Sequence, residues 1–222
     1  MRNYFIIFLI LLLSGQLFSL EAHSQQTTLY LVRHGQTDWN VQGKLQGHAD
    51  IPLNKAGRAE AVGLSEKISE IDFDICFSSD LQRAIETARI LGATRPLTIK
   101  TVPALRERNF GLWEGRLFSE LLEYEKGGQP FPNIESDGEI QKRIFPLLNE
   151  IASSYPGATV LIVTHGGVIR SLVAHLLNID SSSILSIQMK TMATLQLVAS
   201  NGQYEIREMT DIQIHADGKY GN

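Results

Sequence analysis

The sequence predicts an α/β fold, a three-layer α/β/α sandwich whose mostly parallel central sheet carries an antiparallel edge strand. Three observations predict it. From Thr27 onward strand-like and helix-like segments alternate, the pattern of a sheet covered on both faces. Residues 28–32 (Thr-Leu-Tyr-Leu-Val) and 159–163 are β-branched, aromatic and apolar without alternation, as strands buried on both faces are. Asn201-Gly202, between strand-like residues 194–198 and 203–207, is a type I′ hairpin signal and supplies the antiparallel edge.

The strand at 28–32 delivers Arg33 and His34 at its carboxyl end, the edge of open α/β sheets where ligands bind. Gly35 then lets backbone approach a ligand closely. Residues 55–69 read as a helix and 73–77 as a short strand. Ser79-Asp80-Leu81-Gln82 has the form of a capping box, with Leu81, Ala84, Ala88 and Leu91 marking one apolar helix face behind it and Arg83 in the first turn. A strand is expected at 97–102 and helices at 116–125 and 139–153. The second apolar strand ends in Thr164-His165-Gly166-Gly167, and the helix at 168–177 points its N-terminal amides and positive dipole end at the same sheet edge. No internal repeat or low-complexity segment interrupts this order, and residues 211–222 form a polar tail.

At 222 residues, 43% hydrophobic and with a formal charge of −4, the chain suits one globular domain with a proper core. The 20 Lys and Arg are dispersed without a basic run, which argues against a nucleic-acid partner. Cys76 is the single cysteine, so no intrachain disulfide can form, and its apolar flanks predict a buried, inert thiol. Residues 1–24 read as a cleavable signal peptide: Arg2 supplies the positive start, residues 5–13 are uninterruptedly apolar, and Ala22-His23-Ser24 offers small residues at the two positions a signal peptidase reads. Ser14-Gly15-Gln16 breaks the apolar run well short of the about 20 residues a spanning helix needs. The expected product is a domain of residues 25–222, exported to the periplasm or beyond, with no stable membrane insertion after cleavage, as a monomer or homodimer.

His34 and His165, each ending a buried strand and each followed by glycine, are the centre of the chemistry. Beside Arg33 they suit a phosphoryl group, because a guanidinium forks onto two phosphate oxygens and stays charged at every relevant pH. A metal site is the rival reading. The chain has no His-x-x-x-His and no carboxylate cluster near either histidine, and Arg33 would repel a divalent cation at the point of binding. Of the other histidines of the mature chain, His48 is expected at the surface or rim, His175 within an apolar helix and His215 in the tail.

Five blocks carry a resemblance. Arg33-His34-Gly35-Gln36-Thr37-x-x-Asn40, with Gln46-Gly47 and Asp50-x-Pro52-Leu53, resembles the opening signature of the histidine phosphatase superfamily, in the branch typified by cofactor-dependent phosphoglycerate mutase. Ser78-Ser79-Asp80-Leu81-x-Arg83-Ala84-x-x-Thr87-Ala88 is similar to its second block, and Leu105-x-Glu107-x-x-x-Gly111-x-Trp113-Glu114-Gly115 to its third. Glu135-Ser136-x-x-Glu139-x-x-x-Arg143 and residues 163–170 (Val-Thr-His-Gly-Gly-Val-Ile-Arg) resemble the last two. Ile134 departs from the pattern, standing where a glycine often precedes the Glu-Ser pair.

The resemblance implies a phosphoglycerate mutase-like fold, a nucleophilic His34 that is transiently phosphorylated, phosphoryl oxygens held by Arg33, Arg83 and His165, and Glu107 as proton donor. Asn40 and Gly166 are expected at the phosphate, Trp113 in packing, and Arg170 behind the site or at the surface. No metal or other cofactor is required if arginines supply the positive charge. Arg106 and Arg108 flank Glu107, but in an extended segment both point to the opposite face. The expected activity is hydrolysis of a small phosphomonoester. Alternatives are mutase-type phosphoryl transfer and a non-catalytic phosphate- or phosphoprotein-binding module. The 19 residues between Gly115 and Glu135 are fewer than family mutases commonly insert there, and the Gly-x-Trp-Glu-Gly form is similar to the phosphatase members. Phe110, Phe118, Leu121, Tyr124 and Phe131 give the specificity stretch an apolar character.

Overall fold

The computed structural model describes residues 26–93, 97–126, 133–180 and 186–215. The proposed signal segment, Phe131 and residues 216–222 of the expected tail lie outside them. In chain order the elements are β1 (Thr27–Arg33), α1 (Asp38–Val41), α2 (Lys55–Lys67), β2 (Ile75–Ser78), α3 (Gln82–Leu91), β3 (Ile99–Thr101), α4 (Phe118–Lys126), α5 (Asp137–Ser154), β4 (Thr159–Thr164), α6 (Gly166–Leu176), β5 (Ile187–Ser200) and β6 (Gln203–Ile214). Short 3₁₀ turns at Pro103–Leu105 and Gly111–Trp113 fall between β3 and α4.

One six-stranded sheet runs β3-β2-β4-β1-β5-β6. β1, β2, β3 and β4 pair in parallel, while β5 and β6 form the antiparallel edge. Alternate side chains of each central strand feed opposite layers, as the two-residue period requires. Leu29, Leu31, Ile75, Phe77, Val160 and Ile162 pack against α5 and α6. Val32, Cys76, Leu161 and Val163 pack on the other face against α2 and α3. Both faces are therefore dry, which is why β1 and β4 read as unbroken apolar runs. The fold class is the one expected from sequence.

Cys76 is fully buried, and that burial pushes its thiol up to about 12. The hairpin turn forms with Asn201 and Gly202 at φ of 53° and 75°, as a type I′ turn demands. Its strands run far beyond the expected 194–198 and 203–207, so residues 211–214 belong to β6 and not to a tail. The outer strand is mostly exposed and polar, so its ladder leaves little hydrophobic signal.

Four helix starts differ from expectation: α4 begins two residues later, at Phe118, α6 two residues earlier, at Gly166, and α3 and α5 for reasons of capping. The Ser79–Gln82 capping box does not form: α3 begins at Gln82 with Leu81 as N-cap and no side-chain cap from within the segment. Ser79 is instead drawn into the sheet, its N–H donating to the Val163 carbonyl at 2.9 Å, and Asp50 Oδ1 accepts the Gln82 N–H from a distant loop at 2.7 Å. At α5, Ser136 and Glu139 form a reciprocal capping box, which moves the start forward to Asp137. The one-turn α1 was not expected; Thr37 and Asn40 build a capping box around it.

Candidate active site

β1 and β4 are neighbours in register, with Arg33 opposite Thr164, so the residues that follow each strand emerge side by side. His34 donates its backbone N–H to the Thr164 carbonyl at 3.0 Å, and the His34 and His165 rings meet edge to face with centroids 5.0 Å apart. Both side chains are buried, at 2% and 0% exposure. Parallel pairing of two strands distant in sequence thus makes one site from two short motifs.

The two rings hold opposite tautomers. His34 Nδ1 lies 2.7 Å from the Gly35 carbonyl, an acceptor only, so Nδ1 carries the proton and Nε2 presents a lone pair. His165 Nδ1 accepts the Arg83 Nε–H at 3.3 Å, which leaves the proton on Nε2, and that nitrogen is buried without a partner. Burial first, then the Arg83 and Arg33 charges, hold the His34 imidazole well below its usual range; burial, Arg83 and His34 do the same for His165. At neutral pH both rings are uncharged, His34 with a lone pair at Nε2 and His165 with a proton there.

Arg33 donates Nη1–H to the Met189 carbonyl at 2.8 Å, while its Nε is buried and unpartnered. Gly166 makes room for it: a Cβ there would stand 3.3 Å from Arg33 Nε. Arg83 is fully buried and donates to the carbonyls of Ala49 and Gly47, at 2.8 Å each, as well as to His165. Burial lowers both guanidiniums to about 10, with Glu107 the leading charge that opposes the shift, so both stay cationic at neutral pH.

Glu107 is fastened by one oxygen. Oε1 accepts the Gly167 N–H at 2.9 Å and the Arg108 N–H at 2.8 Å, so the carboxylate caps the start of α6 and keeps Oε2 for a ligand. A side chain on Gly167 would overlap that carboxylate. Neither flanking arginine competes for it. Arg106 forks onto Asp80 at 2.7 and 2.6 Å, and Arg108 pairs with Asp137 at 2.5 Å. Among the described residues no group of three or more His, Cys, Asp or Glu is placed to hold a metal ion.

The family model for the histidine phosphatase superfamily, branch 1, matches residues 29–212. The chain belongs to that superfamily. This histidine phosphatase is 37% identical over 150 residues to the uncharacterized phosphatase PhoE of Bacillus subtilis (strain 168), covering 68% of this chain and 77% of the relative. It is 36% identical over 157 residues to phosphoglycerate mutase-like protein 4 of Arabidopsis thaliana, covering 65% and 68%. Among solved structures it is similar to phosphoserine phosphatase from Entamoeba histolytica in complex with 3-phosphoglyceric acid, with TM-score 0.73, 29% identity, and 82% and 96% of the two chains covered.

The histidine phosphatase site brings Arg33, His34, Arg83, Glu107, His165 and Gly166 together at the carboxyl edge of β1 and β4. Asn40 is committed on one side: its Oδ1 accepts the Thr37 N–H at 3.0 Å, so only its Nδ2 can meet a phosphate oxygen. Gly35 serves a different purpose from the one expected, since a Cβ on it would press to 2.5 Å from the Gly57 carbonyl. Its missing side chain lets α2 lie against the loop after β1. Trp113 packs as expected, edge to face with Tyr124. Phe110, Phe118, Leu121 and Tyr124 join Trp113, Leu45 and Ile134 in a small core of their own, so those side chains support the stretch from within. Arg170 donates to the Ile187 carbonyl at 2.9 Å, behind Arg33.

Residues without a stated role in the sequence reading also matter. Arg143 forks onto Glu135 at 2.6 and 3.0 Å and donates to the carbonyls of Ala104 and Glu107, pinning the segment that carries Glu107. His48 sits at the rim, as expected, but with Nε2 donating to the Glu107 carbonyl at 3.0 Å. The fourth block hinted at the Glu135–Arg143 pair; the carbonyl partners leave no trace in the sequence.

Proposed function

We propose that this protein is an exported phosphomonoesterase that hydrolyses a small phosphorylated substrate through a phosphohistidine on His34, without a metal. The observation that carries the reading is the pairing of opposite tautomers: a His34 Nε2 lone pair, on a residue 2% exposed, in a site with two buried donors, Arg33 Nε–H and His165 Nε2–H, that have no partner in the protein. Buried donors without partners are costly, and a bound phosphoryl group would satisfy them.

In the proposed first step His34 Nε2 attacks phosphorus, the phosphorus–oxygen bond to the alcohol breaks, and Glu107 protonates the departing alkoxide. In the second a water gives its proton to Glu107 and attacks the phosphohistidine, releasing inorganic phosphate and restoring neutral His34. The arginines and His165 hold charge on the transferring oxygens throughout, the main task in such transfers. Two guanidiniums already supply what a divalent cation would, and they oppose its approach. Export rests on the first 24 residues.

The test is rapid acid and alkaline quench with labelled p-nitrophenyl phosphate in chelator. The expected result is an alkali-stable, acid-labile phosphoenzyme, lost together with turnover in His34→Ala. Label on a serine or aspartate, or turnover that survives in His34→Ala, refutes the mechanism. A mutase-type reading draws on the name of the Arabidopsis relative and predicts phosphoglycerate interconversion in preference to phosphate release. The short stretch after the third block favours hydrolysis.

A further inference from the structure

Arg83 is the largest fully buried side chain among the described residues, and its guanidinium is aimed by three acceptors: the Gly47 carbonyl, the Ala49 carbonyl and His165 Nδ1. Two of the three belong to one loop, residues 46–49, so whatever fixes that loop also fixes Arg83 and, through it, the tautomer of His165. The loop is irregular. Gly47 has φ of +52°, a left-handed conformation that disfavours side chains, and its carbonyl is directed inward.

The Glu114 carboxylate lies directly against this loop. Its Oε1 accepts the His48 N–H at 2.8 Å, with the Phe110 N–H near it at 3.4 Å, and it fills the space a Cβ on Gly47 would need. Backbone pairing brings it there: Gly115 N–H donates to the Leu45 carbonyl at 2.8 Å, and Leu45 N–H to the Arg116 carbonyl at 2.9 Å. Of the polar side chains on that segment, Glu114 alone reaches the backbone whose carbonyls hold Arg83.

We infer that Glu114 is a positioning residue for Arg83: its carboxylate locks residues 47–49 so that the Gly47 and Ala49 carbonyls orient the guanidinium, which in turn sets His165 as a donor to the phosphoryl group. The inference rests on the phosphatase reading for its effect on turnover, but its effect on anion binding does not. Reach, and not charge, is what the role requires. Gln keeps the acceptor at the same distance from the His48 N–H; Asp keeps the charge but is one methylene short.

The test measures kcat/KM for p-nitrophenyl phosphate and the affinity for orthovanadate, with thermal stability recorded alongside, for Glu114→Ala, Glu114→Asp and Glu114→Gln, each in the wild-type and Arg83→Lys backgrounds. Loss of the part-buried acceptor, which leaves the His48 N–H unpaired, corresponds to a drop of about thirtyfold in kcat/KM and in vanadate affinity for Ala and Asp, with Gln within about threefold of wild type. In the Arg83→Lys background, where the bidentate partner of the loop is gone, the Glu114→Ala and Glu114→Asp penalties should shrink to about threefold or less, because both changes break one chain of contacts. Penalties that multiply in full across the two backgrounds overturn the inference, as do wild-type values for Glu114→Asp or a Gln variant as weak as Ala. If the wild-type protein binds vanadate but hydrolyses no phosphomonoester, the phosphatase reading fails, while the same cycle in vanadate affinity still decides the role of Glu114.

Discussion

Acidification from pH 7 to 5.5 should destabilise this protein through its two active-site histidines. In the folded state burial and the neighbouring arginines hold both imidazoles well below their usual range, whereas in the unfolded chain each titrates near about 6.5. Below that value the unfolded chain binds more protons, so stability is full above about pH 6.5 and is lost as the pH falls. For one histidine that stays neutral in the fold, integrating from pH 7 to 5.5 gives about 1.2 kcal/mol, and for the pair about 2.5 kcal/mol. Both side chains are almost wholly buried, so solvent screening discounts little of this. Asp80, Glu135 and Glu139 also have lowered values, but their loss of stability falls below about pH 4.5, outside the window. The assay is urea denaturation at half-unit pH steps, at constant ionic strength. His34→Asn provides the control, since its amide can still donate to the Gly35 carbonyl while the titrating group is gone, and it should halve the loss. A folding free energy that is flat from pH 7 to 5.5, or a loss unchanged in His34→Asn, refutes the account of neutral buried imidazoles.

Two other outcomes check separate parts of the reading. Glu107→Gln keeps an acceptor for the Gly167 N–H but cannot deliver a proton, so turnover of an alkyl phosphate should fall by about a hundredfold or more, while an aryl phosphate with an acidic leaving group loses much less; equal losses on both substrates, measured as kcat, would remove Glu107 from the proton-donor role. Full-length protein expressed with its first 24 residues in a Gram-negative host should be recovered outside the cytoplasm with an amino terminus near Gln25, read by N-terminal sequencing. Recovery of intact Met1 in the cytoplasm would count against export.

The elements most legible in the sequence were those with dry surroundings. The middles of β1 and β4 lie between two packed layers, so residues 29–32 and 160–163 are apolar, and the polar residues at the end of each strand stood out. α3 and α6 showed their apolar faces for the same reason. β6 was underestimated because its ladder is built from backbone groups while its side chains mostly face water, and polar strands carry little period. The start of α3 was misread because Ser79 has a sheet partner in Val163, which no local spacing reveals.

By itself, then, the sequence determined the fold class, the family, and which six residues gather at the carboxyl edge of β1 and β4, because those depend on residue type at the ends of buried strands and on blocks in a fixed order. Tertiary structure decided what each of them can do. The His34 tautomer follows from the Gly35 carbonyl, the His165 tautomer from Arg83, the aim of Arg83 from the Gly47 and Ala49 carbonyls, and the freedom of Glu107 from Asp80 and Asp137, which occupy its neighbouring arginines. Most of these partners are backbone carbonyls or carboxylates many residues away. Every residue has a carbonyl, so only the folded chain says which one faces a given proton.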